Sequence, residues 1–165
     1  MLDTIFGLPM HPLIVHATVV IVPTATFLVA LAALYPRFRA WAGPVPALAA
    51  LLSCVLVPLS TGSGEALQER VRETSLVEDH QEIAGTLIWF VIPLAVVAVL
   101  GYWMQRRATA GNAAGKGLVA TVAVASVVLA GATLVDVALI GHSGAKASWS
   151  KVAAQHPAGS GESDG

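Results

Sequence analysis

Of the side chains in this sequence, the five histidines, His11, His16, His80, His142 and His156, are the best suited to chemistry. A neutral imidazole binds a metal ion or haem iron through one ring nitrogen, while a hydrogen bond at the other nitrogen fixes its tautomer. His11 and His16 stand at the head of the first long apolar run, His80 just before the third and His142 just after the fourth. Three helices would thus bring imidazole to one level. Asp136 is the only acidic residue inside an apolar run, and an acid at that depth is costly unless paired or facing a wet cavity. His16 lies ~7.5 Å deeper than His11 along a helix, and Asp136 ~9 Å deeper than His142, so His16 and Asp136 can share a level and His16 is the natural partner of the acid. At ~100° per residue, His11 and His16 point about 140° apart and cannot ligate one ion together. Pro12 belongs in a first helical turn, which makes His11 the residue that starts the helix and His16 the inward-facing one. The plainer reading treats each histidine as an interfacial polar residue, and a His16–Asp136 contact as a hydrogen bond joining two helices. Convergence of three helices is what favours a site. His156 sits in the tail beside Pro157, with no partners near it in sequence.

Composition says what must position these groups. The chain has 165 residues, 56% of them hydrophobic and only 12% charged, with a mean hydropathy of +0.74. Soluble domains have roughly 45–50% apolar residues, so the excess points to lipid. A spanning helix needs about 20 apolar residues to cross ~30 Å of hydrocarbon. Four segments qualify, at about 13–35, 45–61, 83–103 and 118–141. Pro44 and Pro46 stand where a first turn tolerates proline, while Pro23, Pro58 and Pro93 are expected to bend their helices. Thr26 with Ala30, and Ser126 with Ala130, have the small-residue spacing that lets membrane helices approach closely.

The short loops set the orientation. Arg37 and Arg39 follow the first span, and Arg106, Arg107 and Lys116 lie between the third and fourth. Loops rich in Lys and Arg face the cytoplasm. Trp41, Trp103, Tyr35 and Tyr102 fall at the same boundary. The opposite side receives the N-terminus, the acidic stretch 62–82 and the C-terminus. The expected fold is therefore all-α, a four-helix transmembrane bundle with N-terminus and C-terminus extracytoplasmic. Residues 1–152 form the membrane domain and 153–165, small and polar, a disordered tail. Within 62–82, Leu67, Val71 and Leu76 lie near the spacing of an amphipathic turn or two. Gly62 and Gly64 read as the C-cap of the second span. No internal repeat is evident.

Several function classes drop out. A net charge of -1 gives no basic face for nucleic acid. The one cysteine, Cys54, lies in an apolar run and matches no redox or metal spacing. The N-terminal ten residues hold Asp3 and no Lys or Arg, so the first span is expected to be retained as a helix and not cleaved as a signal peptide. No nucleophile–base pair, phosphate loop or pair of catalytic acids is present in the sequence, which argues against a self-contained enzyme.

The segments LPMHPLIVH at the start, TGSGEA after the second span, EDHQEIAG before the third and LIGHSGAKASW after the fourth resemble a bacterial membrane family, domain of unknown function 2231. The resemblance runs from about Gly7 to Trp149 and implies a four-helix membrane domain. Its pattern falls on His11, Pro12, His16, Gly62, His80, Gly141, His142 and Gly144. Where the family has an aromatic after the second histidine this chain has Ala17. Its acid after the first glycine of the second-span motif is offered by Glu65, and its second glycine after GHxG is here Ala145. Members occur joined to iron–sulfur domains, which implies electron transfer.

The first expectation is a small electron-transfer subunit in the inner or plasma membrane of a bacterium. It would hold haem b in the outer half of the bundle and meet a redox partner on the extracytoplasmic side. His16 and His80 would be axial ligands, His142 and His11 the next shell, with Asp136 and Glu65 behind them and Arg70, Arg72 or Lys146 meeting propionates. The second is a divalent-metal protein, with copper or zinc on imidazoles, Asp136 and Glu65. The third is a non-catalytic membrane subunit whose polar outer cluster docks a partner or senses pH.

Overall fold

A computed structural model describes residues 4–5, 8–68 and 75–155. The sequence alternates long apolar runs with short polar breaks, and the described chain is helical almost throughout. A two-residue antiparallel pairing of β1 (Thr4–Ile5) with β2 (Leu8–Pro9) precedes α1 (Met10–Leu34). A short α2 (Pro36–Ala42) leads to α3 (Val45–Gln68), and α4 (Ser75–Thr86) to α5 (Ile88–Thr109). α6 (Lys116–Gln155) closes the fold. Four of these stretches are long and apolar enough to cross a membrane: 11–34, 45–66, 75–109 and 116–149. This is a multi-pass membrane protein.

Around the bundle, α1 lies between α3 and α6, and α5 lies between the same two helices on the far side. Two apolar layers fill the middle. Val29, Ala47, Ala50, Leu94, Ala98 and Ala130 pack nearer the arginine-bearing loops. Val22, Val57, Leu87 and Val91 pack nearer the histidines. The alanines matter because lipid gives helices no hydrophobic reason to associate, so close backbone approach and dispersion hold them together. Buried hydroxyls are satisfied within their own helices: Thr26, Ser53, Ser126 and Thr133 each donate to the carbonyl one turn back.

Three boundaries differ from the sequence expectation. α3 does not end at Gly62 and Gly64 but runs on to Gln68, because neither glycine adopts positive φ. α6 continues past Gly141 to Gln155, so residues 153–155 are helical where a disordered tail was expected. The stretch before the third span is helix from Ser75, and α4 passes into α5 through Leu87, whose dihedrals stay α-helical. Leu67 lies in α3 without a described side chain. Residues 69–74, with Val71, and residues 156–165 lie outside the described residues.

Candidate functional site: two clamped histidines at one cavity

The site begins with α1. Its packed face carries Thr18, Val22, Ala25 and Val29, and His11 lies two turns before Thr18 on that same face. His11 is half-buried and turns onto the end of α3. Its Nδ1 stands 3.1 Å from Ser63 Oγ and 3.2 Å from the carbonyl oxygen of Ser60, and Ser63 Oγ donates to that same carbonyl at 2.9 Å. The carbonyl can only accept, and the serine proton is already used. Nδ1 therefore carries the hydrogen, and the lone pair sits on Nε2.

The second histidine repeats the arrangement. His80, on α4, places Nδ1 2.9 Å from Ser143 Oγ, and that hydroxyl donates to the Ile140 carbonyl at 3.0 Å. Again the ring donates from Nδ1 and leaves Nε2 free. Each imidazole lies against a glycine. A Cβ at Gly64 would come within 3.0 Å of His11 Cε1, and one at Gly144 within 3.0 Å of His80 Cε1. A methyl group there would force the ring to give by a few tenths of an ångström.

Both histidines line one cavity of about 650 Å³, with Val22, Val57, Leu87 and Val137 as apolar wall and Ser60 and Gln81 among its polar lining. That volume suits a cofactor or drug-sized ligand. A second cavity of about 410 Å³ at the arginine end is lined by Arg39, Tyr102 and Gln105 and contains no histidine.

The other expected site residues are not gathered here. His16, expected to face inward, is exposed, and its Nδ1 bonds back to the carbonyl of Pro12 in its own helix. The inward histidine of α1 is His11, so the two roles are reversed. Asp136, only 7% exposed, does not meet His16 but accepts a hydrogen bond from Thr86 Oγ1 at 2.9 Å. Its Oδ2 has no partner among the described residues. His142 is exposed beside the serine that clamps His80, and Glu65 and Lys146 are exposed as well. Arg70, Arg72 and His156 lie outside the described residues. Among the described residues, no three His, Cys, Asp or Glu side chains come together as a metal site would require.

Ser63, Gly64, Ser143 and Thr86 are the residues of this arrangement whose roles sequence reasoning missed. The available signal was the dipeptide Ser-Gly, which recurs in both helices that face the histidines, at Ser63-Gly64 of α3 and Ser143-Gly144 of α6.

Neither a curated protein nor a solved structure matches the chain. The family described as predicted membrane protein (DUF2231) matches residues 7–157, nearly the whole chain. The segments that carry the clamps, from the first histidine to the Ser-Gly pair of α6, all fall inside that match, and the protein belongs to this family.

Proposed function

We propose that the protein is a small electron-transfer subunit that holds a b-type haem in the histidine cavity, with Nε2 of His11 and of His80 as axial ligands. The observation that carries this is the pair of imidazoles from different helices. Both are fixed through Nδ1, and both line one largely apolar cavity. A hydrogen bond at Nδ1 raises the basicity of Nε2 and sets the ring's orientation, as bound metals require.

Haem suits this donor set better than a bare ion. Structural zinc takes four protein ligands and catalytic zinc three, and here two imidazoles line the cavity with no cluster of three His, Cys, Asp or Glu among the described residues. Haem provides its own equatorial nitrogens and asks the protein only for axial ones. A bound haem supplies a one-electron couple. The chain's own work is to hold two imidazoles still and to keep water from the ring with Val22, Val57, Leu87 and Val137. By the charge of the loops, the cavity opens on the extracytoplasmic side of a bacterial inner or plasma membrane, where a redox partner would dock.

The test is the reduced-minus-oxidised visible spectrum of protein expressed with ample haem and purified in mild detergent. Sharp six-coordinate b-type bands are expected, lost in His11→Ala and His80→Ala and kept in His16→Ala and His142→Ala. A featureless spectrum from folded protein overturns the reading, and metal analysis of the same sample then decides between a copper or zinc site and a purely structural subunit.

A further inference from the structure

The two halves of the bundle repeat one another in detail that composition does not explain. On α1 the buried positions Thr18, Val22, Ala25, Thr26 and Val29 follow His11 at fixed intervals. The same intervals counted from His80 reach Leu87, Val91, Leu94, Ala95 and Ala98, every one of them buried. On α3, Ala50 and Ser53 stand before Ser63 and Gly64 with the spacing by which Ala130 and Thr133 stand before Ser143 and Gly144 on α6. All four of the upstream residues are buried. Chance repetition is common where alanine abounds, but each half also builds the same four-part clamp of imidazole, serine hydroxyl, carbonyl one turn back and bare glycine.

The packing has the matching symmetry. α1 and α5 sit diagonally, each between α3 and α6, so a half-turn about the bundle axis exchanges the hairpin α1–α3 with the hairpin α5–α6. That turn carries His11 onto His80. The repeat is parallel, with both hairpins entering from the histidine end. No repeat was evident in the sequence because the identical pairs, such as Val22 with Val91 and Ala50 with Ala130, are scattered among pairs that agree only in burial, such as Thr18 with Leu87.

We propose that the two hairpins are equivalent halves of one site, which presents Nε2 of two identically clamped imidazoles to opposite faces of a flat, metal-bearing ring. This rests on the haem reading above and sharpens it: His11 and His80 would together hold the group, which would supply one-electron transfer and take up no CO while both imidazoles stay bound. Ser63 and Ser143 are then positioning residues of equal weight. Substituting a residue that orients a metal-bound histidine costs typically about 10–100-fold in affinity, and the two serine variants should lose haem to the same degree within that range.

Two measurements on the full-length protein in detergent test this. In ¹⁵N-histidine NMR of the haem-free protein, His11 and His80 should both show the Nδ1–H tautomer. Ser63→Ala should shift only the His11 resonances, with Nδ1–H left on the Ser60 carbonyl, and Ser143→Ala only those of His80. In the haem-loaded, reduced protein, CO should leave the wild-type spectrum unchanged. His11→Gly and His80→Gly should each admit CO to the same extent, and added imidazole should close both again. CO binding by the wild type, or one histidine variant with an unaltered spectrum, overturns the inference while leaving haem binding intact. If folded protein takes up no haem, the electron-transfer reading fails, and the NMR alone decides the equivalence of the halves: different tautomers at His11 and His80 overturn it.

Discussion

Gly64 and Gly144 are the residues on which the clamps turn. A methyl group at either would approach His Cε1 to 3.0 Å, closer than carbon normally comes, and the ring is the neighbour that must yield by a few tenths of an ångström. Gly64→Ala and Gly144→Ala are therefore expected to lengthen the Nδ1 contact to Ser63 or Ser143 and to weaken haem retention, with little change in helix content by circular dichroism. Asp136 poses a different question, since a buried carboxylate in lipid needs a partner. Thr86 Oγ1 is that partner. Removing the hydroxyl strands a second oxygen, so Thr86→Val should destabilise the protein by about 1–3 kcal/mol, read as a lower thermal midpoint in detergent. The sequence singled out Asp136 and the histidines as the residues to explain, and it paired Asp136 with His16. Depth along a helix is legible from residue counts, whereas rotation about the helix axis depends on which face packs. That face was marked by small and hydroxyl residues: Thr18 and Ala25 fall in step with His11 every two turns, and His16 falls out of step.

At the scale of elements, the four spans were legible because apolar length is dictated by the bilayer, and the four long apolar helical stretches cover them all but for Tyr35. Their ends were less so. Gly62 and Gly64 look like a helix stop, yet α3 passes through them, since a glycine ends a helix only when the chain needs positive φ there. Gly64 serves instead to make room for His11. The real stop lies elsewhere. Gly43, between α2 and α3, adopts φ 55° with ψ -123°, a region closed to residues with a Cβ, and its amide closes α2 by donating to the Arg39 carbonyl. Gly43→Ala should cost about 1–3 kcal/mol, and a thermal melt in detergent will show it. Gly62→Ala, whose added Cβ meets nothing within 4 Å, should be near neutral or slightly stabilising in the same assay. The contrast separates a glycine needed for its backbone from one that merely occupies a helix.

For the whole molecule, the outer surface is the strongest statement. Val20 is 61% exposed, Val124 64% and Trp41 82%, an apolar exterior that water would not tolerate and lipid requires. The two ends differ. At one, Arg39 reaches the Ala32 carbonyl and Arg107 lies 4.8 Å over the Trp103 ring, as cations do when they leave the apolar layer for an interface. At the other, the exposed acids Glu65, Glu78 and Asp79 stand next in sequence to the cavity-lining Gly64, Val77 and His80. Lys and Arg in short loops are retained in the cytoplasm, so the cavity should open outward. Labelling of single cysteines in a Cys54→Ala background, with a maleimide that cannot cross membranes, decides this. Glu78→Cys, at the cavity end, should react in intact cells. Asn112→Cys, in the exposed turn between α5 and α6, should react only once the membrane is broken. The reverse pattern would turn the cavity to the cytoplasm and with it the side on which a redox partner must dock, because a two-fold site built from parallel hairpins has only one mouth.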